Sequence, residues 1–600
     1  MNNYKTETEF FSKLNDKVTL PSYQRRLVWK KKQKKDFIES ISRGYPFGSL
    51  LLYKYENDDK YSIIDGLQRF STLRDYKKNK SQYFKFDDYT DMICEIIYHE
   101  TIDDMMLIPK KKEVQNVLIE TYGDQEYHNQ PYLLFDNLKN NSEIKGYLEE
   151  GHSRDIVTIQ AKIEKALDNY IDLDKLELPI IEFTGAENDL ANVFQRLNRG
   201  GVTLSKYQVY FAQWTKYLIN LKEMEDKEII DIIIERYNNL NDNRDGIYIE
   251  GYDEDSFREN CEITLAELCY ALGIVILKNS KVFYGKELGL NSEDVANELG
   301  FSTMAIILNI PNKTMGNIMN YADKIDVQIV EKIFEYTKKI YQNINDEFES
   351  KFKRIGSDNE YVVKLANFQY LSYFANLWII KHRDIDHEFS INEGYKSEYK
   401  LTLNNLKYYY IYELVDEYWK GSRDSTLDDI YINKNRRYLN KIDSRKLENK
   451  LIEWNNDEIS KDNINFSAQV RILITFFYNA LEVNFKSEKY DYEHIIPKDT
   501  IKKLRKNGYR LCGGSLGNCC FLDQYSNRSK GEHTIYQEFK RGEIHDVKKE
   551  RLEELRYPSE KDLEFLDNSD FNKEKNDKAT SLIKRRSGEI ITELIKKIYL

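Results

Sequence analysis

The sequence predicts an α+β, multidomain protein, and three observations predict it. At 600 residues the chain is long enough to bury several cores. Two regions, residues 49–65 and 490–522, hold short β-patterned runs separated by turn signals. From about residue 210 to 480, aromatic and aliphatic residues recur every three or four places, as in KEIIDIIIERYNNL and LKYYYIYELVDEYW, the spacing of packed helices. The organisation expected is a mixed domain over 1–210, a helical middle over 211–440, and a mainly helical C-terminal domain over 441–600 that carries a small ββα unit.

Composition narrows the class. Charged residues make up 32% against 41% hydrophobic, and no apolar run approaches the ~18 residues of a membrane span. The first residues, MNNYKTETEFFSK, lack an apolar leader, and six cysteines without framework spacing fit a reducing compartment. A soluble, cytoplasmic protein is expected. A net charge of −11 argues against a surface coated for nucleic acid, whose affinity comes from lysine and arginine on phosphates. The basic residues are clustered instead: Arg25–Lys35 carries seven positive charges and no acid, and Lys498–Arg510 six against one.

Taken in chain order, Phe37, Ile38 and Ile41 share one helical face, which Gly44 and Pro46 end. Ser49–Tyr55 and Tyr61–Asp65 then read as two strands around an NDD turn, and GLQRFSTLRDY reads as a helix. Asp65-Gly66 therefore sits where a strand becomes a helix, a junction whose free amides and dipole favour phosphate. Gly66 allows close approach, and Gln68 and Arg69 offer amide and guanidinium donors. Further on, residues 187–208 read as a helix, a Gly-Gly turn and a new helix opened by the capping pair Ser205 and Gln208.

The ordered set YQRxxVW, GYPFGSLLL, DGLQR and FQRLNRGG resembles the N-terminal domain of the GmrSD family of modification-dependent (type IV) restriction endonucleases. The resemblance implies a ParB/sulfiredoxin-like fold that binds and hydrolyses a nucleoside triphosphate, GTP or ATP. By that resemblance the nucleotide site uses Gln24, Arg25, Asp65, Gly66, Gln68, Arg69 and Asn198. The usual motif is DGQQR; Leu67 replaces its first glutamine, and one polar contact goes with it. No GxxxxGK[ST] stretch occurs, so a Walker site is not expected.

The C-terminal region carries the plainest chemistry. Tyr490–Ile496 and Asn518–Leu522 read as strands, followed by a polar turn and a helix carrying Asn527. Hydrolysing a phosphodiester needs a base for water, a divalent cation for the departing oxygen, and a scaffold holding both. His494 is the candidate base. Glu493 and Asn527 offer oxygens to a hard ion, Mg²⁺ or Mn²⁺. Asn518 can bridge two backbone segments, and Lys530 would face a phosphate. Cys512, Cys519 and Cys520 lack zinc-ligand spacing and read as strand and core residues.

This segment resembles the HNH nuclease family in its variant with a final Asn. The resemblance makes His494 the general base, Glu493 and Asn527 the metal ligands, and Asn518 the structural middle member. The sequence leaves open whether Asp491 or Glu493 reaches the metal, since two residues apart on a strand they share a face.

The function expected is an NTP-regulated, metal-dependent endonuclease that cuts modified phage DNA in antiviral defence. One ββα finger cuts one strand, so a double-strand break calls for two nicks or a homodimer. Two alternatives stand beside it: an NTP-gated DNA-binding defence protein with a weak or structural nuclease segment, and an RNA-directed nuclease toxin.

Overall fold

The computed structural model describes residues 3–20, 29–54, 60–98, 104–123, 127, 130–185, 193, 205–242, 249, 252–285, 292–357, 360–421, 423–483, 489–542 and 549–599. The protein is α+β with helix dominant. It divides into two compact units: Met1–Lys216 with Ile230–Cys261, and Tyr217–Ile229 with Glu262–Leu600. No helix among the described residues is long and apolar enough to cross a membrane.

The first unit is built on a mixed five-stranded sheet. Its strands are β1 (Tyr4–Phe10), β2 (Val18–Thr19), β3 (Leu50–Lys54), β4 (Tyr61–Asp65) and β5 (Glu177–Phe183), in the order β1-β5-β3-β4-β2. β1 pairs antiparallel with β5, β5 parallel with β3, β3 antiparallel with β4, and β4 parallel with β2. Helix α1 (Lys31–Ser42) lays Phe37, Ile38 and Ile41 onto the core formed by Phe11, Leu52, Ile63, Phe70 and Leu178. Helix α2 (Leu67–Lys78) leaves β4 through Gly66, whose φ of 96° lies in the left-handed region that suits glycine. A second apolar cluster joins four helices between Asp87 and Asp168 around Ile93, Leu118, Leu134 and Ile163.

The second unit pairs β6 (Leu218–Asn220) antiparallel with β7 (Glu262–Thr264) and is otherwise mostly a helical array whose aromatic stripes are core, as their spacing implies. Helix α3 (Leu265–Lys278) starts at a Thr264/Glu267 capping box and crosses α4 (Ser292–Ile307) at closest backbone approach. A Cβ on Gly273 would lie 1.8 Å from Ala296 O, and one on Gly300 1.8 Å from Cys269 O. Each helix thus presents a glycine to a carbonyl of the other. Around them α5 (Val327–Phe352), α6 (Asn367–Lys381) and α7 (Tyr395–Val415) interleave rings, with Tyr341 stacked on Phe374 at 4.8 Å. Glu413, its side chain fully buried, is satisfied by Gln369, Trp419 and Arg437.

At the end of α6, His382 stacks between Tyr336 and Trp378 while its Nδ1–H donates to Phe389 O at 3.0 Å. Its Nε2 meets no partner among the described residues. Burial holds this imidazole down from 6.5 to about 4. The unfolded chain therefore takes up a proton between those values that the folded protein refuses, and stability falls as pH drops through that window. The loss at the low end is about 3 kcal/mol. Urea titrations across the window should show a shallower pH dependence for His382→Phe than for the wild type; equal slopes would remove His382 from the account.

Candidate active site

The second unit contains a strand pair followed by a helix near the C-terminus. Strand β8 (Tyr490–His494) runs antiparallel to β9 (Cys519–Asp523), with Tyr490 opposite Asp523 and His494 opposite Cys519. Helix α8 (Ala468–Ala480) precedes β8, and α9 (Lys498–Lys506) follows it directly after Pro497. Asp523 caps α10 (Gln524–Lys530), its carboxylate accepting from Ser526 N at 2.8 Å. β8 starts where the sequence puts it and ends two residues earlier, at His494 and not Ile496, and β9 is displaced by one residue.

Asn518 is fully buried and touches backbone only. Its Oδ1 accepts from Ile496 N at 2.8 Å, and its Nδ2 donates to Gly513 O at 2.8 Å. One amide thus ties the exit of β8 to the loop entering β9, a task that needs a donor and an acceptor on one side chain. Gly517, next to it, admits the terminal helix α11 (Lys573–Tyr599): a Cβ there would lie 2.0 Å from Ile583 O. From α11 the buried Arg586 donates to Gly517 O at 3.1 Å and to Cys519 O at 2.7 Å. Arg586 is a clamp on the hairpin that local sequence pattern does not signal.

His494 is 7% exposed and stacks on Phe466 with centroids 3.9 Å apart. Its Nε2 lies 2.9 Å from Ile464 O. A carbonyl can only accept, so Nε2 carries the hydrogen and Nδ1 keeps its lone pair. Burial pushes the imidazole down to about 4, against the opposing Ile464 bond and with help from Lys498, Lys530 and Arg471. His494 is thereby held neutral. Gly514 makes this possible from below: it approaches Asn465 O so closely that a Cβ would come within 2.3 Å, and its N–H donates to Asn463 O. The segment carrying Ile464 and Phe466 is fixed by that contact.

A cavity of about 530 Å³ opens beside His494 and is also lined by Asp491, Asn527, Arg354, Arg471 and Lys498. The two acids of β8 part company. Asp491 lines the cavity, whereas Glu493 is 4% exposed and ion-paired with Lys530, which also donates to His533 O at 2.9 Å. Burial pushes the Glu493 carboxyl up, and the Lys530 ammonium opposes that shift. The sequence reading turned Lys530 toward a phosphate; the structure has it 2% exposed with its ammonium on Glu493, because a buried carboxylate demands a counter-charge.

The donor chemistry suits a hard divalent ion: a carboxylate and the Asn527 amide supply oxygens, with no thiolate or paired imidazoles. No group of three or more His, Cys, Asp or Glu that could cage an ion occurs among the described residues. Mg²⁺ needs no such cage, since it keeps several waters and binds through one or two carboxylates plus substrate phosphate.

In the first unit the Asp65–Arg69 junction has the geometry expected of it. Phe70 N donates to Gly66 O, and the N-cap position of α2 is Gly66, which has no side chain to cap the first turn. Arg69, however, is drawn back onto Ser49 O at 2.7 Å and Asp65 at 3.2 Å. Gly48 lies flush against that guanidinium, where a Cβ would come within 3.0 Å of Nη1. Gln68 is buried and accepts from Trp29 N at 3.1 Å. Leu67, in the position of the motif's first glutamine, is packed into the sheet core. Gln24, Arg25 and Asn198 lie outside the described residues. A cavity of about 250 Å³ lined by Trp29, Lys31, Lys34, Lys35 and Asp75 takes in part of the N-terminal basic run.

Residues 8–215 match the family model of the GmrSD restriction endonuclease N-terminal domain. The match takes in β2 to β5, the last three residues of β1 and the Asp65–Arg69 junction. No curated protein matches the chain.

Proposed function

We propose that the protein is a restriction-type DNA endonuclease that acts in antiviral defence in the cytoplasm. The observation that carries this reading is His494, fixed by Ile464 O in the tautomer that leaves Nδ1 a free base, beside a cavity it shares with Asp491 and Asn527. The match over residues 8–215 supports it independently.

His494 takes the proton of the attacking water on Nδ1. Ile464 O holds the ring in place and stabilises the imidazolium that results. Phe466 keeps the other face dry, and Asn518 with Arg586 keeps the strand ends from drifting. Mg²⁺ or Mn²⁺ bound by Asn527 with Glu493 or Asp491 would stabilise the departing oxygen. The N-terminal domain, over 1–210, binds GTP or ATP at the Asp65–Arg69 junction and senses modified phage DNA. The helical middle, 211–440, couples it to the nuclease domain, 441–600, and two chains or two nicks make a double-strand break.

A second reading, an NTP-gated DNA-binding protein with a silent nuclease segment, draws on the Glu493–Lys530 pair and on the burial of Leu67. Plasmid nicking separates the two. Supercoiled plasmid and phage-derived modified DNA are incubated with Mg²⁺ or Mn²⁺, with and without GTP or ATP. Metal-dependent relaxation abolished by EDTA is the expected result, and nicking in no arm would favour the binding protein. Equal cutting of modified and unmodified DNA without a nucleotide effect would remove the sensing role.

A further inference from the structure

Among the described residues, three cations and two carboxylates line the cavity beside His494, in a chain whose acids outnumber its bases by 101 to 90. Of its three cations, Arg354 is ion-paired with Glu360. Among the described residues, Lys498 donates to the neutral Asn465 amide at 3.1 Å and has no carboxylate within ion-pair distance. Arg471 is exposed and packs over the Tyr492 ring at 5.6 Å; among the described residues no carboxylate pairs with it. Its helix position is fixed, with Ser467 capping α8 and Thr475 bonding back to Arg471 O.

A guanidinium that lines a cavity, propped on a ring and with no carboxylate on it among the described residues, offers its planar fork to an anion that arrives from outside. Resting on the proposed endonuclease activity, we propose that Arg471 is the residue that grips the DNA backbone phosphate at the scissile position, with Lys498 contacting the neighbouring phosphate. Arg471 comes from α8, where it lies over the Tyr492 ring, and Lys498 from the start of α9; both line the cavity beside His494. A strand gripped by both passes across the cavity that His494 lines.

The test uses the full-length protein in a His494→Ala background, where DNA binding is measured without cutting, over a series of salt concentrations. Arg471→Gln should weaken binding by roughly tenfold at low salt and lower the slope of log K against log salt by about one unit. Arg471→Lys should keep most of the slope while losing part of the affinity, since it keeps charge without the fork. Arg585→Gln, which removes an exposed arginine paired with Asp562, should change neither. In the cutting-competent protein, Arg471→Gln should raise KM more than it lowers kcat. Unchanged affinity and slope in Arg471→Gln, with the wild type still nicking, overturns this assignment and leaves the nuclease intact. A wild type that neither nicks nor binds DNA overturns both.

Discussion

His494→Ala should lower metal-dependent plasmid nicking by about 10²–10⁴-fold, the range a positioned general base supplies. The expectation rests on geometry more than on residue type. Ile464 O accepts the only ring hydrogen, so the sole basic atom of the side chain is Nδ1, and burial keeps the ring from storing a proton before it is needed. Alanine also empties the space against Phe466, so a melting curve has to accompany the assay. His494→Gln separates the effects: it fills much of the space and cannot act as a base. Both variants should be inactive, with the glutamine protein closer to the wild type in stability. Nicking within a few-fold of wild type in a folded His494→Gln protein would remove His494 from the mechanism.

The largest effect on stability is expected from Gly300→Ala. Alanine is the better helix former by about 1 kcal/mol, so by propensity the change should stabilise α4. The packing term has the opposite sign. The new methyl would stand 1.8 Å from Cys269 O, a backbone atom inside α3 that cannot swing aside. The two helices would have to separate along their contact, which also carries Gly273 against Ala296 O. Overpacking of this kind costs about 1–3 kcal/mol and more where both sides are backbone. The urea midpoint of Gly300→Ala should fall clearly below that of the wild type, and Gly273→Ala should behave alike. A midpoint at or above the wild-type value would show that the crossing is looser than described.

Much of the candidate site is legible in the sequence because its parts are neighbours in the chain. EHIIP and GNCCFL mark strands by composition and turn residues, and a middle Asn between them has one economical use, which Asn518 performs. Ser205 and Gln208 form the capping box their spacing implies. The six cysteines are buried, and no disulfide joins them. What the sequence hides is long-range. Ile464 O meets His494 across 30 positions and Arg586 meets Gly517 across 69, and neither contact leaves a periodic trace. β1 and β5, which pair across most of the first unit, are invisible for the same reason. The fates of Asp491 and Glu493 follow from Lys530, whose charge selects one acid for burial and leaves the other at the cavity. Leu67 is the converse case: a departure from the motif that reads as a lost contact and is also a gained piece of core.

Arg586 has a consequence in time. A ribosome makes β8 and β9 well before it makes α11, so the hairpin leaves the exit tunnel with Gly517 O and Cys519 O still lacking their donor. Until the last helix docks, the strand ends that carry His494 and the Asn518 bridge have no clamp. On the endonuclease reading, a nascent chain carries the candidate cutting residues before it carries the clamp that aligns them.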